Sequence, residues 1–250
     1  MRVALFVTCL VDLVRPRIGF AALELLERAG CEVVVPATQT CCGQPAYNSG
    51  DRPAAQVLAR KVLREMADCD YVVVPSGSCG GMLKTHYPEL LSEFPELRAQ
   101  VEWLAARTWE LTDFLVNVLK VEQVPGRFSG TVTYHDSCSG LREMGVKGQP
   151  RALLGTIPGL GLVEMNAPEQ CCGFGGTFAV KYGDISARIA DQKCQDIVAT
   201  GADAVVLGDL GCMLNIEGRL RRRGDGKTRV LHVAEVLAGV AGEGAASKGD

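Results

Sequence analysis

No run of apolar residues in this chain approaches the ~20 that a membrane-spanning helix needs, so no membrane span is expected. An excess of basic charge is missing too. The net charge is −3, which gives no electrostatic footprint for nucleic acid. The one basic cluster, Arg219, Arg221, Arg222 and Arg223, reads as a solvated helix end, where cations complement the dipole. No Gly-x-Gly-x-x-Gly follows a first strand, so that fingerprint of nicotinamide or flavin binding is absent. A secretory signal is missing as well. In the opening MRVALFVTCLVDLVRPR, Asp12 interrupts the apolar stretch and no small-residue cleavage site follows. A soluble, cytoplasmic protein is the expectation.

Cysteine, in contrast, is plentiful. There are eleven among 250 residues, in a setting where disulfides are disfavoured and clustered thiols more often bind metal. Eight of them form a pattern that occurs twice. Cys9, the pair Cys41–Cys42 followed by Gly43, and Cys79 make the first set. Cys138, the pair Cys171–Cys172 followed by Gly173, and Cys212 make the second, offset by about 130 residues. Adjacent cysteines can both face one metal only where the backbone turns sharply, and a following glycine permits that turn. Cys31, Cys69 and Cys194 lack repeat partners and read as packed thiols.

Short apolar runs alternate with helical patterns in both halves. Met1–Thr8, Glu32–Val35 and Tyr71–Val74 read as strands, with helices over Phe20–Ala29 and Pro53–Ala67. Thr131–His135, Leu160–Met165 and Ala204–Leu207 repeat the strands, with helices from Pro150 and over Tyr182–Thr200. This predicts an α/β fold of two tandem repeats, each a parallel sheet flanked by helices. Tyr87–Lys120 reads as helical. The stretches starting at Thr108 and Val230 resemble each other, so each repeat is expected to close with a similar helix. The predicted boundaries are 1–128, 129–238 and a flexible Gly- and Ala-rich tail over 239–250. Each repeated cysteine falls just past a strand, at the rim where open parallel sheets gather ligands. Cys9, Cys41, Cys42 and Cys79 are therefore the expected metal ligands of the first half, and Cys138, Cys171, Cys172 and Cys212 those of the second. His135 and Asp209 flank the second set as candidates to tune it, against the plainer readings of a structural histidine and a helix cap.

The pattern Cys-x31-Cys-Cys-Gly-x35-Cys, repeated as Cys-x32-Cys-Cys-Gly-x38-Cys, resembles the CCG cysteine-rich domain. That domain occurs in heterodisulfide reductase, in the iron–sulfur component of glycolate oxidase and in the lactate-utilisation protein A family. The stretches Tyr134–Cys138, Cys171–Gly176 and Asp209–Asn215 are most similar to the last of these. The resemblance implies two Rossmann-like repeats, iron–sulfur clusters, most simply [4Fe–4S], and zinc as an alternative in one half. It implies an electron-transferring subunit of a complex that oxidises L-lactate, working with other lactate-utilisation subunits, among them a ferredoxin-like iron–sulfur protein. The small-molecule substrate would be a 2-hydroxy acid, and no catalytic residue is assigned. Two departures stand out. The fullest family motif has a fifth thiol per domain; here Met82 or Ser76, and Asp209 or Asn215, stand in its place. The chain also has no Cys-x2-Cys-x2-Cys-x3-Cys-Pro run, so electrons would pass to clusters on another subunit. A glycolate oxidase-type or heterodisulfide reductase-type role, or a zinc-binding interaction module without redox activity, remain the rival readings.

Overall fold

The computed structural model describes residues 1–242 and contains two four-stranded, wholly parallel sheets. The first has β1 (Arg2–Leu5), β2 (Glu32–Val34), β3 (Tyr71–Val74) and β4 (Thr108–Glu110) in the order β2-β1-β3-β4. The second has β5 (Gly130–His135), β6 (Leu160–Leu162), β7 (Ala204–Leu207) and β8 (Arg229–His232) in the order β6-β5-β7-β8. The central strands are buried on both faces. Val72, Val73 and Val74 in one sheet, and Ala204, Val205, Val206 and Leu207 in the other, are all solvent-free. Such strands read as continuous apolar runs because helices cover both sides.

Two differences from the sequence reading concern the fourth strands. Thr108–Glu110 and Arg229–His232 are not helical; each pairs in parallel with its sheet, Val74 against Glu110 and Leu207 against His232. Each runs straight into a helix whose first turn is capped by that strand's last side chain. The helical period of the following residues masked a strand too short to show its own. The first long helix, Pro16–Arg28, also starts earlier than Phe20, with Pro16 at its first turn. Of the residues expected to form a tail, Val240–Gly242 makes a 3-10 turn, and 243–250 lie outside the described residues.

The halves share one core. Leu5, Val11, Ile18 and Leu26 of the first half join Val206, Met213, Ile216 and Val236 of the second in one buried cluster. The helix Pro16–Arg28 packs on Val233–Ala238 of the other half, and Gly148–Leu154 packs reciprocally on Leu111–Asp113. Gly77–Gly81 packs on Cys138–Arg142, and Cys9–Val14 on Leu210–Arg222. A Cβ on Gly77 would lie 2.6 Å from the Gly140 backbone, so only glycine fits there.

Candidate metal centres

In each half the chain leaves the carboxyl ends of its strands and brings four thiols together there. In the first, Thr8 takes φ 76°, a strained value for a β-branched residue, and its side chain caps the helix that Cys9 begins. Gly43 then adopts φ 86°, which turns the Cys41–Cys42 backbone back on itself. Its N–H donates to the Cys41 sulfur at 3.3 Å. The Tyr87 hydroxyl donates to the Cys42 carbonyl at 2.8 Å and fixes this loop. Ser76 caps the helix that carries Cys79, whose sulfur lies 3.4 Å from that of Cys42. Cys9 interacts electrostatically with Cys41, and Cys41 with Cys42, so the four thiols form one cluster.

The second half repeats the construction. Ser137 caps the helix of Cys138. Gly173 takes φ 85°, and a Cβ there would sit 2.6 Å from the Ser186 carbonyl oxygen. Amides of Gly173 and Phe174 donate to the sulfurs of Cys171 and Cys172 at 3.3 and 3.4 Å. Asn215 holds the Cys172 carbonyl at 2.8 Å, as Tyr87 does in the first half. Cys138 interacts electrostatically with Cys171, Cys171 with Cys172, and Cys172 with Cys212. All eleven cysteines are free thiols, and Cys31, Cys69 and Cys194 are buried as core residues.

Within each nest the thiolate is favoured at the central cysteine. Hydrogen bonds from Cys42 and Cys9 hold the Cys41 thiol down at about 3. Those from Cys138 and Cys172 hold Cys171 at about 2. Their neighbours move the opposite way: bonding to that thiolate, then burial, pushes Cys9 and Cys138 up. Each nest therefore favours one thiolate at its centre, and a metal ion would deprotonate the thiols around it. Thiols clustered in this way suit zinc or iron–sulfur chemistry, so the donor set fits the group implied by the sequence.

His135 and Asp209 sit differently. His135 is buried beside the second nest; burial first, then the charge of Lys193, holds its imidazole down at about 3. Asp209 is taken up by the backbone. One oxygen accepts from Ser76 Oγ at 3.0 Å and Ser78 N at 2.9 Å, and the other from Gly211 N at 3.1 Å. One carboxylate thus clips the amides next to Cys79 and next to Cys212, across the two halves.

Sequence reasoning missed Lys193 and Glu110. Lys193 is fully buried, and its ammonium donates to the Ala167 carbonyl at 2.5 Å. A lone lysine on a helix gives no signal of this. Glu110 lies between the halves and lines a cavity of about 10 Å³ with Tyr134, Asp136 and Ser137, room for about one water. Burial lifts its carboxyl to about 7, against the hydrogen bonds it receives from Thr112 and Asp113. A folded value above the ordinary 4.5 means stability is fully present below pH 4.5 and is lost as pH rises through 7, by about 3 kcal/mol. His232, the equivalent cap, runs the other way. Burial holds it down at about 4 against 6.5, so stability is lost as pH falls from 6.5 towards 4. Glu110→Gln should therefore gain about 3 kcal/mol relative to wild type at pH 8 compared with pH 4. Urea midpoints at the two pH values check this; an equal difference at both would refute it.

A groove of about 620 Å³ elsewhere, lined by Arg17, Glu217, Arg221, Lys227 and Arg229, includes none of the eight sulfurs. Among the described residues no helix is long and apolar enough to cross a membrane.

Two nests built on one repeated α/β plan define a class, and the family model of the CCG cysteine-rich domain matches the chain twice, over residues 3–84 and 132–217. Relatives matched along nearly their whole length narrow it further. "Lactate utilization protein A" of Geobacillus kaustophilus is 52% identical over 237 residues, covering 95% of this chain and 98% of that one. Its namesakes in Bacillus cytotoxicus and Macrococcus caseolyticus are both 46% identical, over 95% of this chain and 98% and 96% of theirs. The chain belongs to the lactate utilization protein A family. A solved structure of a hypothetical protein from Helicobacter pylori shares the fold, with TM-score 0.58 at 11% identity, over 97% of this chain. The chain spans about half (49%) of that structure's length.

Proposed function

We propose that this protein is an iron–sulfur subunit of a cytoplasmic multi-protein system that oxidises L-lactate to pyruvate. The observation that carries the reading is the convergence of two separate sets of four sulfurs, one per half. The lactate in the reading comes from the name its relatives carry. Cys9, Cys41, Cys42 and Cys79 would hold one centre in the domain 1–128, and Cys138, Cys171, Cys172 and Cys212 another in 129–238. A four-thiolate cluster supplies one-electron redox chemistry. The chain's own residues set its surroundings. Tyr87 and Asn215 fix the two Cys-Cys-Gly loops, and amides of Gly43, Gly173 and Phe174 donate to sulfur, which stabilises negative charge there. Lactate oxidation releases two electrons and two protons; the electrons would leave through other subunits, one of them ferredoxin-like.

Anaerobically purified protein is expected to be brown, with iron and acid-labile sulfide in comparable amounts. Changing each Cys-Cys pair to Ala-Ala separately should remove about half of both. A colourless protein carrying zinc in both nests would replace this reading with that of a zinc-stapled interaction module.

A further inference from the structure

The two nests share a backbone plan but not their surroundings. Three residues before Cys9 stands Phe6; three before Cys138 stands His135. Both are buried. The helices over the two Cys-Cys-Gly loops differ in the same sense. Gly43 abuts Ala55 and Gly173 abuts Ser186. Seven residues beyond those contacts stand Val62 in the first half and Lys193 in the second. Phe6 and Val62 lie in the apolar cluster that includes Cys42, whereas the second nest has two nitrogen groups, His135 and Lys193, close by.

His135 is the more telling of the pair. It is 1% exposed, and neither ring nitrogen has a hydrogen-bond partner. The Pro168 carbonyl beside it already accepts from Asp136 N at 3.1 Å and Lys193 Nζ at 3.4 Å. Leaving a buried polar group unsatisfied costs free energy that a partner would recover. A ring nitrogen of His135 and the sulfurs of Cys172 and Cys212 lie within 4.8 Å of one another. A buried imidazole with no well-formed hydrogen bond, within reach of two thiols, has the chemistry of a ligand short of its metal.

We propose that His135 is a nitrogen ligand of the metal held by the second nest, so that this centre has mixed sulfur and nitrogen donors while the first has sulfur alone. The proposal rests on the reading that the nests bind metal. Its consequence is inequality: a neutral imidazole places less negative charge on a metal than a thiolate does, and histidine ligation raises reduction potentials.

Cobalt(II) alone is the probe, added anaerobically to metal-free full-length protein. Cys171→Ala with Cys172→Ala leaves only the first nest intact; Cys41→Ala with Cys42→Ala leaves only the second. The second nest should absorb at shorter wavelength than the first, because imidazole is the stronger-field donor. His135→Phe, which copies the first half, should move that absorption to the position of the first nest. Pulsed EPR of the second nest with and without ¹⁵N-histidine needs no change at His135 and should show directly bound nitrogen. Matching spectra from the two nests, with no nitrogen coupling, would overturn the ligand while leaving the nests as metal sites. Absence of cobalt binding at either nest would overturn both readings.

Discussion

Cys172→Ala should strip metal from the second nest and leave the first loaded. Structural tetrathiolate-type sites bind with about 10–16 kcal/mol, so one ligand of four is worth roughly 100–1,000-fold in affinity. Cys172 is also the link between Cys171 and Cys212, and its carbonyl anchors Asn215. Its loss breaks the chain of sulfurs in the middle. Cys41→Ala should do the same to the first nest. The controls are Cys31→Ala, Cys69→Ala and Cys194→Ala. These three are buried away from the nests, with Cys194 facing the Ile216 carbonyl at 3.9 Å, and should lose only packing, about 1 kcal/mol. Metal per chain after anaerobic purification decides the matter. Equal losses from both groups of variants would show that convergence of the eight sulfurs has nothing to do with metal.

Asp209→Ala should cost about 3–5 kcal/mol of stability. Its carboxylate is 3% exposed and receives three hydrogen bonds. Removal strands two amides in the seam between the halves and leaves the Ser76 hydroxyl only Ser78 to donate to. The damage should be global rather than local, because Ser76 and Ser78 belong to one half and Gly211 to the other. Asp209→Asn should fall between, since it keeps one acceptor but turns an NH₂ towards other donors. Denaturation followed by the fluorescence of Trp103 and Trp109, both in the first half, makes the test sharp. A loss under about 1 kcal/mol, or one confined to the second half, would count against the clip.

Much of this architecture is legible from residue order alone. The first three strands of each half announce themselves as apolar runs, and the Cys-Cys-Gly pairs mark the rims. Glycine after each pair is readable because the turn demands it. The fourth strands are not readable, since three residues such as Thr108–Glu110 carry no period before the helix begins. Nor can residue order disclose that Asp209 reaches Ser76 from 133 positions away; nothing local says which edges of two repeats face each other. His135 is visible as the near neighbour of Cys138, but that its nitrogens lack partners is a matter of packing. Lys193 is invisible because burial, and not spacing, makes it unusual.

The reciprocal packing of the halves carries a last implication. Helix Pro16–Arg28 lies on Val233–Ala238, and its counterpart Gly148–Leu154 lies on Leu111–Asp113, which is the self-complementary pattern of a twofold homodimer. The molecule has the geometry of two identical protomers fused end to end. Fusion frees paired positions to diverge, and so lets one copy keep Phe6 while the other acquires His135, a distinction that a true homodimer encoded once could never make.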